Sequence, residues 1–138
     1  MVDIDKAVRT YLERLSSEYN SINSIWLLGS RANGTNRTDS DWDFLIFADK
    51  KTLDSLKQSR SLKLKNVDVL VVYDKNKFED PWSHKKGSLH NWKWKQLAKN
   101  KAKYWGIKWA SEGFSDGMEN SRFDEGERMA FKIWPFKL

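Results

Sequence analysis

At 138 residues, 39% hydrophobic and 32% charged, the chain has the size of one ordinary domain, with enough apolar content to bury a core rather than stay disordered. Its net charge of +6 suits an anionic partner such as nucleotide or nucleic acid. No run approaches the roughly 18 apolar residues of a membrane span. No basic-then-apolar leader is visible at Met1 to Lys6, and the lack of cysteine excludes disulfides and thiolate metal sites, so the expected location is cytoplasmic with no membrane partner. The two histidines, His84 and His90, are too few for a His-based zinc site without carboxylates.

Ile4, Ala7, Val8, Tyr11, Leu12, Leu15 and Tyr19 follow helical spacing, which predicts an amphipathic helix over 4–19, capped by Asp3 or Asp5. Ile25 to Leu28 is a short buried strand. A polar loop carrying Gly34 occupies 30–40, and a second strand covers 42–48. Lys51 to Ser59 is a short helix with Leu53 and Leu56 inward, and Val67 to Tyr73, rich in β-branched residues, is a third strand. This order predicts an α/β fold, a small mixed sheet flanked by helices. After the Asp80-Pro81 turn the pattern is less distinct. Ser88 is placed to cap a helix over about 89–105, with Trp94, Leu97, Ala98, Ala102, Trp105 and Trp109 on one face, before Gly106, Gly113 and Gly117 interrupt it. Arg128 to Phe136 fits a strand or a helix, limited by Pro135. The expectation is a single domain over 1–138, with a core at about 1–75 and a Trp- and Lys-rich helical or mixed extension over about 78–138.

The chemistry concentrates between Gly29 and Phe47. Gly29-Ser30 ends the first strand, ten residues follow, and Asp41 and Asp43 open the second. Two residues apart on a strand, these acids face one side with Cα atoms about 6.6–7 Å apart, and they repel unless a cation joins them. Hard oxygen ligands suit Mg²⁺, with Mn²⁺ as the alternative. Asp68 sits between Val67 and Val69, where an acid is costly unless paired or metal-bound. If the third strand lies beside the second, Asp68 joins the pair, and three carboxylates can hold two metals about 3.5–4 Å apart. Gly29 lets the backbone approach a phosphate, Ser30 offers a hydroxyl and an N–H, and Arg31 and Arg37 are candidate neutralisers of a triphosphate. A short helix starting near Arg31 would add positive potential. Such parts suit attack by an acceptor oxygen on an α-phosphorus.

The pattern Gly29-Ser30-Arg31-Ala32-x-Gly34-x-x-Arg37-x-x-Ser40-Asp41-x-Asp43, with Asp68 on a later strand, resembles the DNA polymerase β-type nucleotidyltransferase superfamily and, within it, the minimal nucleotidyltransferases that include antitoxins partnered with HEPN ribonuclease toxins. The resemblance covers about residues 1–75. It implies a polymerase β-like fold, Gly29 and Ser30 on the triphosphate, Asp41 and Asp43 on both metals, and Asp68 on one metal while it helps activate the acceptor hydroxyl. It further implies an NTP donor, ATP by analogy, transfer of AMP, and an acceptor that is a protein such as a HEPN-type toxin, an RNA or a small molecule. Asn33 stands where minimal members often carry a basic residue.

Other readings stay open. The third acid is Asp68 or Asp74. Arg31 can pair with Asp39 or Asp41, and Arg37 can be solvated. The segment 82–109, lysine-rich and without acids from Lys85 to Lys108, is a helix with a Trp core face, a nucleic-acid surface or a protein-partner surface, with Trp92 the better exposed contact. An antitoxin-like protein-binding module and a nucleic-acid-binding module are the alternatives to an enzyme.

Overall fold

The computed structural model describes residues 4–106 and 126–135. Helix α1 (Lys6–Glu18) starts at Asp5, whose side chain accepts the Ala7 N–H at 3.2 Å. It buries Val8, Leu12 and Leu15, the stripe expected from the sequence. Strand β1 (Ser24–Leu28) leads directly into a short helix, α2 (Gly29–Asn33), which ends at Gly34 in the left-handed region with φ 74°. Strand β2 (Trp42–Phe47) follows. Helix α3 (Lys50–Lys57) is capped by Asp49, which accepts the Thr52 N–H at 2.8 Å. It crosses over to strand β3 (Val67–Tyr73), which pairs parallel with β2 as such a crossover permits.

A single 3-10 turn (Arg60–Leu62) lies between α3 and β3, and the elements after β3 are strands: β4 (Lys77–Glu79), β5 (Lys86–Ser88), β6 (Lys95–Ala98), β7 (Lys101–Gly106) and β8 (Gly126–Trp134). All eight join one sheet in the order β5-β4-β3-β2-β1-β8-β7-β6. The chain is α/β as expected, but the sheet is large and curled, and the long helices α1 and α3 pack on one face only. On that face Ile25, Leu27, Phe44, Ile46, Val67, Val69 and Val71 meet Leu12, Leu15, Leu53 and Leu56. The other face buries Trp26, Leu28, Leu45, Leu70 and Val72 beneath Leu89, Trp92 and Tyr104.

The helix expected over 89–105 is replaced by a turn and a hairpin. Trp92, Lys93 and Trp94 donate their N–H groups to the carbonyls of Leu89, His90 and Leu89, but Lys93 takes a positive φ of 54°, which ends the turn. Lys99 and Asn100 then form the two-residue turn between β6 and β7. The stripe of Trp94, Leu97, Ala98, Ala102 and Trp105 is a coincidence of spacing. From 101 to 105 the operative period is two, with Ala102 and Tyr104 buried and the side chains between them directed outward. Exposure therefore inverts the expectation. Trp92 is 6% exposed, its ring 4.6 Å from Phe78 and 5.3 Å from Tyr104, whereas Leu97 and Trp105 are 47% and 40% exposed. Trp94 packs edge-on to Trp26 at 5.2 Å. Trp92 thus bridges β4 and β7, which are five places apart in the sheet, and the sheet must curl to let it. Arg128 to Trp134 is strand and lies in the middle of the sheet between β1 and β7. Asp3, Trp109, Gly113, Gly117 and Phe136 lie outside the described residues. Among the described residues no helix is long and apolar enough to cross a membrane.

Trp92→Ala is expected to destabilise the fold by about 3–5 kcal/mol, and Trp105→Ala by about 0.5 kcal/mol or less, as for an exposed site. Urea unfolding followed by circular dichroism measures both, and equal costs would contradict this packing.

Candidate functional site

Side-chain alternation carries the acids to the concave face. On β2, Phe44 and Ile46 face the helices, so Asp43, Leu45 and Phe47 face the other way. On β3, Asp68, Leu70 and Val72 do the same. The parallel register sets Asp43 directly opposite Asp68, and the antiparallel register with β1 sets Leu28 opposite Asp43. The Asp43 carboxyl is pushed up to about 7, first by burial and then by the charges of Asp68 and Asp41, against a smaller pull from Lys85. Lys63 approaches Asp68 at 3.6 Å while donating to the carbonyls of Leu64 and Val67. Asp41 is exposed, just ahead of β2. Asp74, the other candidate third acid, is exposed in the turn at the opposite end of β3 and pairs with Lys77 at 3.7 Å.

The turn after β1 is built against these acids. Gly29 has φ 73°, and a Cβ there would lie 3.2 Å from the Asp43 carboxyl carbon and overlap one of its oxygens. Both conformation and space therefore demand glycine. The Gly29 N–H donates to the Tyr104 hydroxyl at 3.1 Å. Among the described residues the Ser30 hydroxyl makes no hydrogen bond. Asn33 has a structural task. Its side-chain amide donates to the Gly29 carbonyl at 2.8 Å and the Met129 carbonyl at 3.1 Å, and its oxygen accepts the Met129 N–H at 2.9 Å. It ties α2 to β8 in the manner of one more ladder residue.

The two arginines behave differently. Arg31 donates to the Ser40 carbonyl at 2.8 and 3.1 Å and to the Thr38 carbonyl at 3.2 Å, and its guanidinium lies 4.2 Å over the Trp42 ring. It closes the loop on the side of β2 away from Asp43, and it pairs with neither Asp39 nor Asp41. Arg37 is exposed in the loop, where its backbone N–H donates to the Ser40 hydroxyl at 2.8 Å.

Four residues near the acids and the turn escaped the sequence reading: Lys63, Lys85, Tyr104 and Arg128. Tyr104 and Arg128 face each other across the β7–β8 ladder. Arg128 is near enough that its charge acts on the Tyr104 hydroxyl, whose pKa is nevertheless raised, chiefly by burial. The one available signal was the alternation Ala102, Tyr104 in a segment whose apolar residues also fit a helix.

Among the described residues, no three His, Cys, Asp or Glu side chains converge as a ready metal cage. Two close carboxylates with a third at the rim are instead the donor set expected for a hard cation that keeps waters and borrows phosphate oxygens. A divalent ion there would offset the burial and the neighbouring charges that together raise Asp43.

The linkage has a definite sign. The folded Asp43 carboxyl keeps its proton to about pH 7 and the unfolded one only to its ordinary 3.8, so the folded state binds more protons between those values and stability falls as pH rises through that window. In chelator at about pH 8, Asp43→Asn should melt several degrees above the parent, with the difference gone near pH 4. Mg²⁺ should raise the parent's melting temperature at the higher pH and leave the variant unmoved. Thermal melts across pH, with and without Mg²⁺, measure this, and a parent indifferent to both would contradict the arrangement.

A search of the curated proteins finds no match. Residues 11–77 match the family described as Polymerase beta, Nucleotidyltransferase, a span that runs from within α1 to the start of β4 and includes Gly29, Asp41, Asp43 and Asp68. By that match, this part of the chain belongs to the polymerase β-type nucleotidyltransferase superfamily.

Proposed function

We propose that the protein is a metal-dependent nucleotidyltransferase that moves AMP from ATP to an acceptor hydroxyl and releases pyrophosphate. The observation that carries this reading is the in-register pair Asp43 and Asp68 beside a turn where only glycine fits. Asp41, Asp43 and Asp68 would hold Mg²⁺, which supplies charge neutralisation to the triphosphate. Gly29 and Ser30 receive phosphate oxygens. The acceptor oxygen attacks the α-phosphorus, the bond to the β-phosphate oxygen breaks, and the acceptor proton passes to Asp68. Arg31 serves by holding the loop between turn and acids, and Arg37, exposed on that loop, adds positive charge toward the leaving pyrophosphate. Donor and acceptor of this kind suit a cytoplasmic protein.

Incubation with α-phosphate-labelled ATP, Mg²⁺ and cell lysate should label an acceptor, and Asp41→Asn or Asp68→Asn should lower labelling by at least about a hundredfold, as for loss of a group acting on transition-state charge. Full labelling by either variant would refute the metal assignment. No thermal shift with any NTP and Mg²⁺ would favour an antitoxin-like module that acts by binding alone.

One observation favours a nucleic acid as the acceptor. Strand β6 is exposed along its length at the sheet edge, Lys93 lies 5.6 Å over the exposed Trp105 ring, and lysines at 95, 99 and 101 are exposed nearby. Edge lysines also guard against strand pairing, but that does not account for an exposed indole beside them. Single-stranded RNA should bind with a steep salt dependence and lose affinity on Trp105→Ala, by about 1–3 kcal/mol if a base stacks there. Salt-insensitive or absent binding would return the choice to a protein or small-molecule acceptor.

A further inference from the structure

We propose that Tyr104 and Arg128, on the two strands that follow the family-matched segment, form the phosphate end of the donor site, with the Tyr104 hydroxyl donating to a β- or γ-phosphate oxygen of a nucleoside triphosphate beside the Gly29 N–H. The inference rests on the nucleotidyltransferase reading above and extends it to residues outside the signature of turn and acids.

Three placements converge. Tyr104 is 6% exposed and its hydroxyl accepts the Gly29 N–H at 3.1 Å, so it stands at the turn that the first-strand signature assigns to phosphate. Among the described residues that N–H is its only hydrogen-bond partner. A hydroxyl has one proton to give, so this buried group still holds an unspent donor at the turn. The ring is fixed by stacking, 5.3 Å from Trp92 and 6.3 Å from Trp94, so the hydroxyl is held in place before any ligand arrives.

Arg128 supplies charge at the same place. It is the cross-strand partner of Tyr104, and the next residue, Met129, is clamped to α2 by Asn33. Of the two cations that the signature offers, Arg31 is turned to the loop carbonyls and Trp42, and Arg37 lies exposed in the loop. A guanidinium beside the turn is suited to phosphate oxygens through paired N–H donors. AMP has only the α-phosphate and would not reach this end, whereas ATP and inorganic pyrophosphate would.

The test is binding, read by calorimetry with Mg²⁺, for ATP, inorganic pyrophosphate and AMP on the full chain. Tyr104→Phe and Arg128→Gln should each weaken ATP and pyrophosphate about tenfold while AMP binding stays within about twofold and the circular dichroism spectrum of the folded chain is kept. Tyr104→Phe keeps the stacked ring, and Arg128→Lys should recover part of the loss. If the parent binds ATP but both variants bind it equally well, this assignment is wrong and the nucleotidyltransferase reading stands. Equal losses for AMP and ATP would reduce Tyr104 to a cap on the turn and also overturn it. A parent that binds neither ATP nor pyrophosphate overturns the assignment and the reading together.

Discussion

Two carboxylates held side by side in a largely apolar sheet face form the constraint that the surrounding structure answers. Asp43 and Asp68 cannot drift apart, because the parallel ladder of β2 and β3 fixes them opposite one another and the α3 crossover fixes the ladder. A one-residue slip of β3 against β2 would send Asp68 into the helix-covered core and bring Val69 out. Leaving two such groups uncompensated is expensive. The chain responds with a raised pKa at Asp43, Lys63 against Asp68, and the charge of Lys85 acting on Asp43. Each of these is a weak or reversible response.

The curl of the sheet sets how strongly that constraint is felt. Trp92 ties β4 to β7 through Phe78 and Tyr104, and the aromatic wall so formed covers the concave face above Leu28, Leu45 and Leu70. A flat sheet would leave Asp43 in water, where neighbouring charges are screened. Under the wall the same charges act through a lower dielectric, and burial is accordingly the largest influence on Asp43. Aromatic packing in the second half of the chain and acid chemistry in the first half are thus one electrostatic system.

Legibility in the sequence followed the clarity of local patterns. The α1 stripe, the three apolar strands and the Gly-Ser to Asp-x-Asp spacing each depend on residues close in sequence, and the structure has α1 and all three strands. Asp68 was reachable through one assumption, that β3 lies beside β2, and the register bears out that adjacency. The second half misled because Trp94, Leu97, Ala98, Ala102 and Trp105 satisfy helical spacing, while the features that decide against a helix are long-range. Trp92 is drawn between β4 and β7, Lys93 accepts a left-handed conformation to allow it, and β8 inserts beside β1 from more than a hundred residues away in sequence. Tertiary burial overrode local period there. Arg31 shows the same limit on a smaller scale, since nothing in a linear reading reveals that Trp42 and the Ser40 carbonyl will claim a guanidinium.

The position of β8 decides how the two halves relate. An appended segment would add strands at an edge, but β8 hydrogen-bonds to β1 on one side and β7 on the other, so the strand that ends in the Gly29 turn has the C-terminal half as its immediate neighbour. Asn33 makes the link rigid by bonding α2 to the β8 backbone at Met129. The turn therefore cannot shift without moving β8, and β8 cannot shift without moving Tyr104 through its ladder with β7. Where Gly29 points its N–H is consequently determined by residues a hundred positions downstream as much as by the turn's own sequence. A signature confined to Gly29 through Asp68 describes the chemistry of the site, and the strands beyond it set the geometry in which that chemistry takes place.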